Sequence, residues 1–284
     1  RVLGGGGGVS LEANVVSLLS LPRDLAFDPA GTRLAWLSAE QLHVWRSTEE
    51  EEAGGVSGVA SGVERGGGGD SWAQCACVAR DDSLSTSVCW SPDGSLLATA
   101  GSDDDIIVFS THSWARVLVI AARDGGLLLS LAFSVDGHHI ISAHADRYVR
   151  MWTRSAGEEV CRMTEHIYEP NHLACSGDGN YIASVGMEGT VALWSADIAG
   201  KGGRSVTPVL ENVDCFASEP LCWSPDGQFL AVGRDDDDVC VDIWAIGATT
   251  CTLQRSLKRG EGGFGAAKTL QWSADGEHIA AKAK

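Results

Sequence analysis

The chain lacks the marks of several large protein classes. No apolar run in its 284 residues is long enough to cross a bilayer, and the Gly-rich start has neither the apolar core nor the cleavage site of a secretory signal. Lys and Arg are scarce, 21 against 38 Asp and Glu, so the formal net charge is −17. Such a field repels phosphate backbones and anionic lipids and favours basic partners. We therefore expect an intracellular, cytoplasmic protein that binds neither lipid nor nucleic acid directly, with nuclear, cytoskeletal and ciliary locations left open.

Motifs for catalysis and for structural metal sites are missing as well. The sequence has no GxSxG elbow, phosphate-binding loop, HExxH or paired-cysteine motif. Among its nine cysteines, Cys75 and Cys77 lack the spacing of a zinc site. Several others lie in predicted strands, where a thiol behaves as a small apolar side chain. We predict reduced thiols, no cofactor, no metal ligand and no catalytic residue.

What the sequence does contain is a short pattern of strands and turns. Residues 88–109 read VCWSPDGSLLATAGSDDDIIVF, three apolar runs of about five residues separated by two turn sequences. Pro and Asp initiate turns and Gly accepts a positive φ, so PDG and SDDD mark the turns. Runs of this length are typical of strands rather than helices. The segment therefore predicts a β-meander.

The pattern recurs six times along the chain. The glycines that end its first turn are Gly31, Gly94, Gly137, Gly179, Gly227 and Gly276, at separations of 63, 43, 42, 48 and 49 residues. An aromatic residue ends the third run 14 to 17 residues after the glycine, at Trp45, Phe109, Trp152, Trp194 and Trp244. Two landmarks that keep one spacing indicate a repeat architecture.

These residues resemble those of the WD-repeat β-propeller family, from Leu25 onward. The resemblance implies an all-β propeller of four-stranded antiparallel blades, with six repeats visible, in a six- or seven-bladed ring or part of one. Each blade would lie between two neighbours, so both faces of its inner strands would be dry. Consecutive apolar residues such as Ile140 and Ile141 agree with this expectation.

Family blades often contain a hydrogen-bonded network of His, Ser or Thr, Trp and Asp. By position, the hydroxyl residues are Thr99, Ser142 and Ser184, the turn acids are Asp103, Asp146 and Asp238 with Glu188 in the fourth repeat, and the upstream histidine is His166. No repeat has all four residue types, and the Asp that follows the Trp in the family is missing, so the chain resembles a divergent member of unassigned subfamily. The predicted structural residues of the blades are Trp45, Phe109, Trp152, Trp194, Trp244, Asp146, Ser142 and Ser184.

The domain organisation follows from composition. Residues 1–21 form a Gly-rich N-terminal segment that includes NVVSLLSL, a possible ring-closing strand. Residues 22–284 form the propeller, with an acidic Gly/Ser insertion at 48–71 that we expect to be disordered. The last repeat stops after its second strand, so we expect closure by the N-terminal strand or, slightly favoured, an excerpt of a longer chain.

In function, the resemblance implies a non-catalytic scaffold for protein–protein interactions in a larger intracellular complex. The second turns of the repeats share a face that would suit basic partner segments, and its candidate residues are Asp103, Asp104, Asp105, Arg147, Tyr148, Arg234, Asp235 and Asp236. The alternative is that these Asp residues only keep the protein soluble. Two other functions stay open: an architectural subunit of a cytoskeletal, ciliary or ribonucleoprotein assembly, and a metal-dependent enzyme centred on the propeller channel.

Overall fold

The computed structural model describes residues 24–38, 41–47, 72–79, 85–102, 104–122, 126–164, 166–196, 205–210, 221–234, 239–247, 250–258, 267–273 and 275–283. All regular structure in these ranges is β-strand. The strands are β1 (Asp24–Phe27), β2 (Arg33–Leu37), β3 (Gln41–Ser47), β4 (Trp72–Ala79), β5 (Ser85–Trp90), β6 (Leu96–Gly101), β7 (Asp105–Ser110), β8 (Arg116–Ala121), β9 (Leu128–Phe133), β10 (His139–His144), β11 (Val149–Thr153), β12 (Glu159–Met163), β13 (Pro170–Cys175), β14 (Tyr181–Gly186), β15 (Val191–Ser195), β16 (Ser205–Leu210), β17 (Leu221–Trp223), β18 (Phe229–Gly233), β19 (Val239–Ile246), β20 (Cys251–Lys258), β21 (Ala267–Trp272) and β22 (Ile279–Ala283).

The strands pair in chain order into antiparallel sheets. Sheet 1 contains β1–β4, sheet 2 β5–β8, sheet 3 β9–β12, sheet 4 β13–β16 and sheet 5 β17–β20, while sheet 6 is the pair β21–β22. Within each sheet we label the strands a to d in chain order. This arrangement confirms the predicted all-β class of four-stranded antiparallel blades. Within the described ranges, no helix is long and apolar enough to cross a membrane.

The a–b turns are held by one local set of hydrogen bonds. In sheet 2, the Ser91 hydroxyl donates to Asp93 Oδ1 at 2.5 Å, and Ser91 Oγ accepts the N–H of Leu96 at 2.9 Å. Gly94 follows with a φ of 66°, and all six predicted turn glycines lie between 66° and 74°, where L side chains are strained. The same Ser–Asp bond recurs as Ser134–Asp136, Ser176–Asp178, Ser224–Asp226 and Ser273–Asp275.

The hydrophobic core lies between neighbouring sheets. Ile140 and Ile141 are adjacent on β10 and both fully buried. Ile140 belongs to the cluster between sheets 2 and 3, and Ile141 to the cluster between sheets 3 and 4. Similar clusters lie between sheets 1 and 2 and between sheets 4 and 5. Both faces of the inner strands are therefore dry, which explains why their sequences do not alternate between apolar and polar residues.

Side chains on the a strands also link one sheet to the next. At the same position of three successive repeats, an oxygen accepts a backbone N–H from the following a strand. The pairs are Asp24 to Val88 at 2.8 Å, Ser87 to Leu131 at 3.2 Å and Ser130 to Leu173 at 3.2 Å. These bonds satisfy backbone groups that the a strand, at the edge of its own sheet, leaves unpaired. They thereby set the spacing between adjacent sheets.

The segment that follows the predicted acidic insertion forms β4, the outer strand of sheet 1. Sheet 6 has strands a and b, the two that the last visible repeat contains. The N-terminal segment 1–21 and the insertion 48–71 lie outside the described residues, so closure by an N-terminal strand and disorder of the insertion stay predictions.

Candidate functional site

A chain of buried side chains ties together the strands and turns of sheet 4. The indole N–H of Trp194 donates to Ser184 Oγ at 2.9 Å, and His166 Nε2 lies 2.6 Å from the same oxygen. On the other side of the ring, His166 Nδ1 lies 2.6 Å from Glu188 Oε1, which also accepts the Thr190 hydroxyl at 2.6 Å. A glutamate therefore completes, in the fourth repeat, the chain in which the family has Asp.

Glu188 keeps its charge although its side chain is nearly buried. Burial by itself raises the pKa of a carboxyl group. Hydrogen bonds from His166, from Thr190 and from the backbone outweigh that effect and lower the pKa of Glu188 to about 2. The ionised carboxylate thus links the d–a connection to the b–c turn by hydrogen bonds, which restrict the movement of both segments at this end of sheet 4.

Sheet 3 builds a shorter network from a different histidine. The indole N–H of Trp152 donates to Ser142 Oγ at 2.7 Å, and His144 Nε2 lies 2.7 Å from that oxygen. His144 is two residues beyond Ser142 on the same strand, so both side chains point to the same face. Burial, and then the charge of Arg150, lower the pKa of His144 to about 4. A histidine of strand b thus replaces the histidine that the family takes from the d–a connection.

The position predicted for Asp146 in this network is wrong. Its carboxylate pairs instead with Arg150: Arg150 Nη1 donates to Asp146 Oδ1 at 3.0 Å, and Nη2 donates to Oδ2. Arg150 is fully buried and also lies 3.6 Å from Glu159. A buried guanidinium without a carboxylate costs several kcal/mol, roughly 3–5 when the partner is removed. Asp146 is therefore structural, but as the counter-ion of Arg150.

In the other repeats the hydroxyl and the indole do not occur together. Thr99 is fully buried, but the strand-c aromatic of its repeat is Phe109, which has no N–H to donate, and within the described part of the chain the Thr99 hydroxyl has no hydrogen-bond partner. In sheet 5 the hydroxyl position is Val232, and Trp244 Nε1 has no partner among the described residues. In sheet 1 Trp45 Nε1 also has no partner there, because the hydroxyl position is Trp36, whose ring is tilted against that of Trp45 with 5.6 Å between the ring centres.

Two of the acidic residues predicted to bind partners, Asp104 and Asp105, lie among the described residues. Asp104 and Asp105 are half-buried where β7 begins, and Asp104 has a φ of 62°. Arg234 donates to the fully buried Asp242 at 2.8 Å, so it serves as a counter-ion within sheet 5. The remaining acidic candidates lie outside the described residues, namely Asp103, Asp235 and Asp236.

Arg147 and Tyr148 differ in what they offer to a partner. The ring of Tyr148 is half-buried, and the guanidinium carbons of Arg150 and Arg162 each lie 5.5 Å from its centre. Its cation–π contacts are thus made within the sheet. Arg147 is exposed, with a φ of 76°, and its guanidinium reaches the carbonyl of Ile167 at 3.4 Å.

An exposed apolar surface adjoins Arg147, which the sequence reasoning missed. Ile167, Tyr168 and Met187 are 66%, 58% and 45% exposed. Backbone hydrogen bonds hold them in place, from Tyr168 N to Glu188 Oε2 at 3.1 Å and from Met187 N to the carbonyl of Glu169 at 3.1 Å. We call Arg147, Ile167, Tyr168 and Met187 the Arg147 surface. It lies where the b–c turns of sheets 3 and 4 meet the d–a connection between them.

One group of side chains has the composition of a metal site. The ligand atoms of Asp275, Glu277 and His278 lie within 4.8 Å of one another, and all three residues are exposed. The Asp275 carboxylate already accepts the hydroxyl of Ser273 and the N–H of Glu277, and it serves the a–b turn of sheet 6. Among the described residues no second group of this kind occurs, including at the b–c turns, where a channel-centred metal was considered.

Comparison with known families and proteins agrees with this architecture. Residues 88–170 match the family described as the anaphase-promoting complex subunit 4 WD40 domain, and residues 157–195 and 212–241 match the WD domain, G-beta repeat. The chain is 25% identical over 222 residues to Protein HIR1 of Cryptococcus neoformans, which is 67% of this chain and 24% of that protein. It is 23% identical over 229 residues to Protein hir1 of Schizosaccharomyces pombe, 67% of this chain and 23% of that protein.

A third relative is Pre-mRNA-processing factor 19 homolog 2 of Arabidopsis thaliana, 24% identical over 192 residues, 66% of this chain and 34% of that protein. The chain thus spans about a quarter to a third of the length of these relatives. The family matches cover residues 88–195 and 212–241, which include most of sheets 2 to 4 and the first part of sheet 5. These parts of the chain therefore contain WD40 repeats, and sheets 1 to 5 are four-stranded antiparallel sheets like the blades of WD-repeat β-propellers.

Proposed function

We propose that the protein is a non-catalytic scaffold that binds Lys/Arg-rich segments of partner proteins at the b–c end of its blades. The observation that carries this proposal is the Arg147 surface, where three large apolar side chains are exposed on a firmly held rim. Exposed apolar side chains rimmed by polar groups are typical of protein interaction sites. Tyr and Met are also among the side chains enriched at interfaces.

Charge favours basic partner segments. The net charge of −17 includes two Asp-rich stretches, 103–105 and 235–238, which fall in the sequence between strands b and c, as Arg147 does. Such a field accelerates the encounter with a Lys/Arg-rich segment, while burial of Ile167 and Tyr168 would hold the complex together. Arg147 donates to the Ile167 carbonyl, which links the b–c turn of sheet 3 to the apolar patch.

The partner segments would belong to a larger intracellular assembly. Several proteins similar to this chain are much longer than it, so the propeller would be one module among others. The architectural role remains the second candidate, because a ring of exposed turns can hold several subunits at once. Imaging of the tagged full-length protein together with its captured partners would distinguish a cytoplasmic complex from a nuclear or ciliary one.

A charge-reversal experiment tests the binding face. The double variant Asp104→Lys/Asp236→Lys changes two b–c turns, and Glu158→Lys/Glu277→Lys makes the same change in net charge at the opposite end of the strands. We expect the first variant to lose its captured partners and the salt sensitivity of their binding, and the second to keep both. The proposal would be wrong if the two variants captured the same partners as the parent protein. A third variant, Ile167→Ser/Tyr168→Ser, should weaken capture without changing its dependence on salt.

A further inference from the structure

The last residue of strand a is an aromatic in every repeat except the fourth. In each sheet this residue pairs with the residue three positions after the turn glycine. The pairs are Phe27–Leu34, Trp90–Leu97, Phe133–Ile140, Cys175–Ile182, Trp223–Leu230 and Trp272–Ile279. A thiol therefore stands at Cys175 where five other repeats have a ring.

In sheets 2, 3 and 5 that ring lies in the gap between its own sheet and the preceding one. Trp90 donates its indole N–H to the carbonyl of Ala26 at 3.0 Å and lies under the guanidinium of Arg33, 4.6 Å from the ring centre. Trp223 donates in the same way to Ala174 at 3.0 Å and stacks on Tyr181. At these interfaces the space between neighbouring sheets is thus occupied by an aromatic ring from strand a.

Between sheets 3 and 4 the gap is open. A pocket of about 490 Å³ lies there, between two complete four-stranded sheets, with Cys175 in its lining. Met151 and Ile182 provide buried apolar walls, while Val135 and Val160 are 40% and 45% exposed in its lining. This volume lies within the range of roughly 300–1,000 Å³ found for ligand-binding clefts. A pocket of similar size borders sheet 6, but the structure describes only two strands of that sheet.

The polar lining of the pocket combines two carboxylates with the imidazole of His139 and the hydroxyls of Ser134 and Tyr181. The carboxylates of Asp136 and Asp178, from the a–b turns of sheets 3 and 4, line it and are exposed. Each is held by a serine hydroxyl at 2.5 Å and by a backbone N–H, and these bonds, working against the effect of burial, lower the pKa of both carboxyl groups. Burial of the thiol and the charge of Asp136 raise the pKa of Cys175 to about 12, so this thiol is uncharged.

We propose that this pocket binds an aromatic side chain from a partner protein, flanked in the partner's sequence by Lys or Arg. The ring would occupy the space that Trp90, Phe133 and Trp223 fill at the other interfaces, against Met151 and Ile182. The flanking cations would lie beside Asp136 and Asp178. The site is at the a–b end of the strands, opposite the Arg147 surface, because successive turns of an antiparallel meander lie at alternate ends. The proposal therefore does not depend on the function proposed above.

The test measures binding of three synthetic peptides by isothermal titration calorimetry. The first is Lys-Arg-Trp-Lys-Arg, the second has Ala in place of Trp, and the third is Glu-Asp-Trp-Glu-Asp, all with blocked ends. We expect the first peptide to bind the parent protein at least ten-fold more tightly than either of the others. Cys175→Trp fills the pocket from within, and it should bind the first two peptides equally, whereas Cys175→Ala keeps the space and should retain the preference for Trp.

A surface variant covers the case in which Cys175→Trp does not fold. Val160→Arg places a cation in the pocket without changing a buried residue, and Val119→Arg is its matched control, 51% exposed on the outer strand of sheet 2. We expect Val160→Arg to lose the preference for the Trp peptide over the Ala peptide and Val119→Arg to keep it. Equal binding of the Trp and Ala peptides to the parent protein would overturn the proposal, as would an unchanged preference in Val160→Arg. The Asp104→Lys/Asp236→Lys variant should keep the preference, so failure of one proposal can be distinguished from failure of the other.

Discussion

His144 Nε2 lies 2.7 Å from Ser142 Oγ, and the two residues are two positions apart on strand b of sheet 3. The same oxygen accepts the indole N–H of Trp152, so strand b alone supplies two of the three members of this network. The imidazole is fully buried. Because a buried ring resists protonation, this arrangement makes the stability of sheet 3 depend on pH.

We predict a loss of stability in mild acid to which His144 contributes, together with His172, whose pKa burial also lowers to about 4. The pKa of His144 is lowered from 6.5 to about 4 by burial and by the charge of Arg150, so the unfolded chain takes up the proton first. The neutral imidazole therefore contributes up to ~3 kcal/mol to the free energy of unfolding. This contribution is complete above pH 6.5 and is lost as the pH falls from 6.5 to about 4. Urea unfolding at a series of pH values should show this slope in the parent protein and a smaller one in His144→Gln. The exposed His138 gives the control, His138→Gln, which should keep the parent slope.

Glu188 predicts a second decline in stability at lower pH. Its pKa falls from 4.5 to about 2 because the hydrogen bonds from His166 and Thr190 outweigh burial. The stability that this carboxylate contributes is therefore present above pH 4.5 and is lost as the pH falls towards 2. Glu188→Gln should be less stable at pH 7 and should lose less stability across that interval. A matching loss in Glu158→Gln, which changes an exposed residue, would show that the effect does not come from the network.

Opposite effects are expected for two substitutions at the same position of strand b. Ser184→Ala leaves both Trp194 Nε1 and His166 Nε2 buried without their shared partner, and we expect a loss of about 2–4 kcal/mol. Thr99→Val replaces a buried hydroxyl that has no partner in the described part of the chain by a methyl group of the same shape. It should leave stability unchanged or raise it by up to about 1 kcal/mol. Chemical unfolding of the two variants measures both, and a loss in Thr99→Val would mean that its hydroxyl is bonded in solution.

The strand-c tryptophans should be far more important for stability than the acidic insertion. Trp152 and Trp194 are 6% and 1% exposed, so truncation of either to Ala creates a large cavity and should cost roughly 3–5 kcal/mol. Deletion of residues 49–69 should change the free energy of unfolding very little, because a long surface loop contributes little burial. Thermal melts of Trp152→Ala, Trp194→Ala and the deletion variant measure these losses of stability. Similar losses in all three would contradict the assignment of these tryptophans to the core.

Much of a single blade could be predicted from the sequence because its determinants are local. A turn glycine with positive φ, a strand of about five residues and an aromatic at a fixed offset all act within one repeat, and the structure has them where the sequence indicated. The link from Ser184 to Trp194 could be inferred for the same reason, since paired strands bring those positions together. The Ser–Asp bond of the a–b turn was also readable from the recurring S-x-D-G, but it was overlooked.

What lies between blades could not be predicted in this way. Even within sheet 3, the spacing that identifies Asp146 as a turn acid does not show that its carboxylate pairs with Arg150. Cys175 looked like an ordinary apolar strand residue, and only its register showed that it stands where other repeats have a ring. The strands, the turns and the repeat follow from the sequence alone, because hydrogen bonds within a meander depend on near neighbours in the chain. Which of the described side chains are buried without partners, and where a pocket stays open, depends on how the sheets pack, because residues about forty positions away supply the other wall.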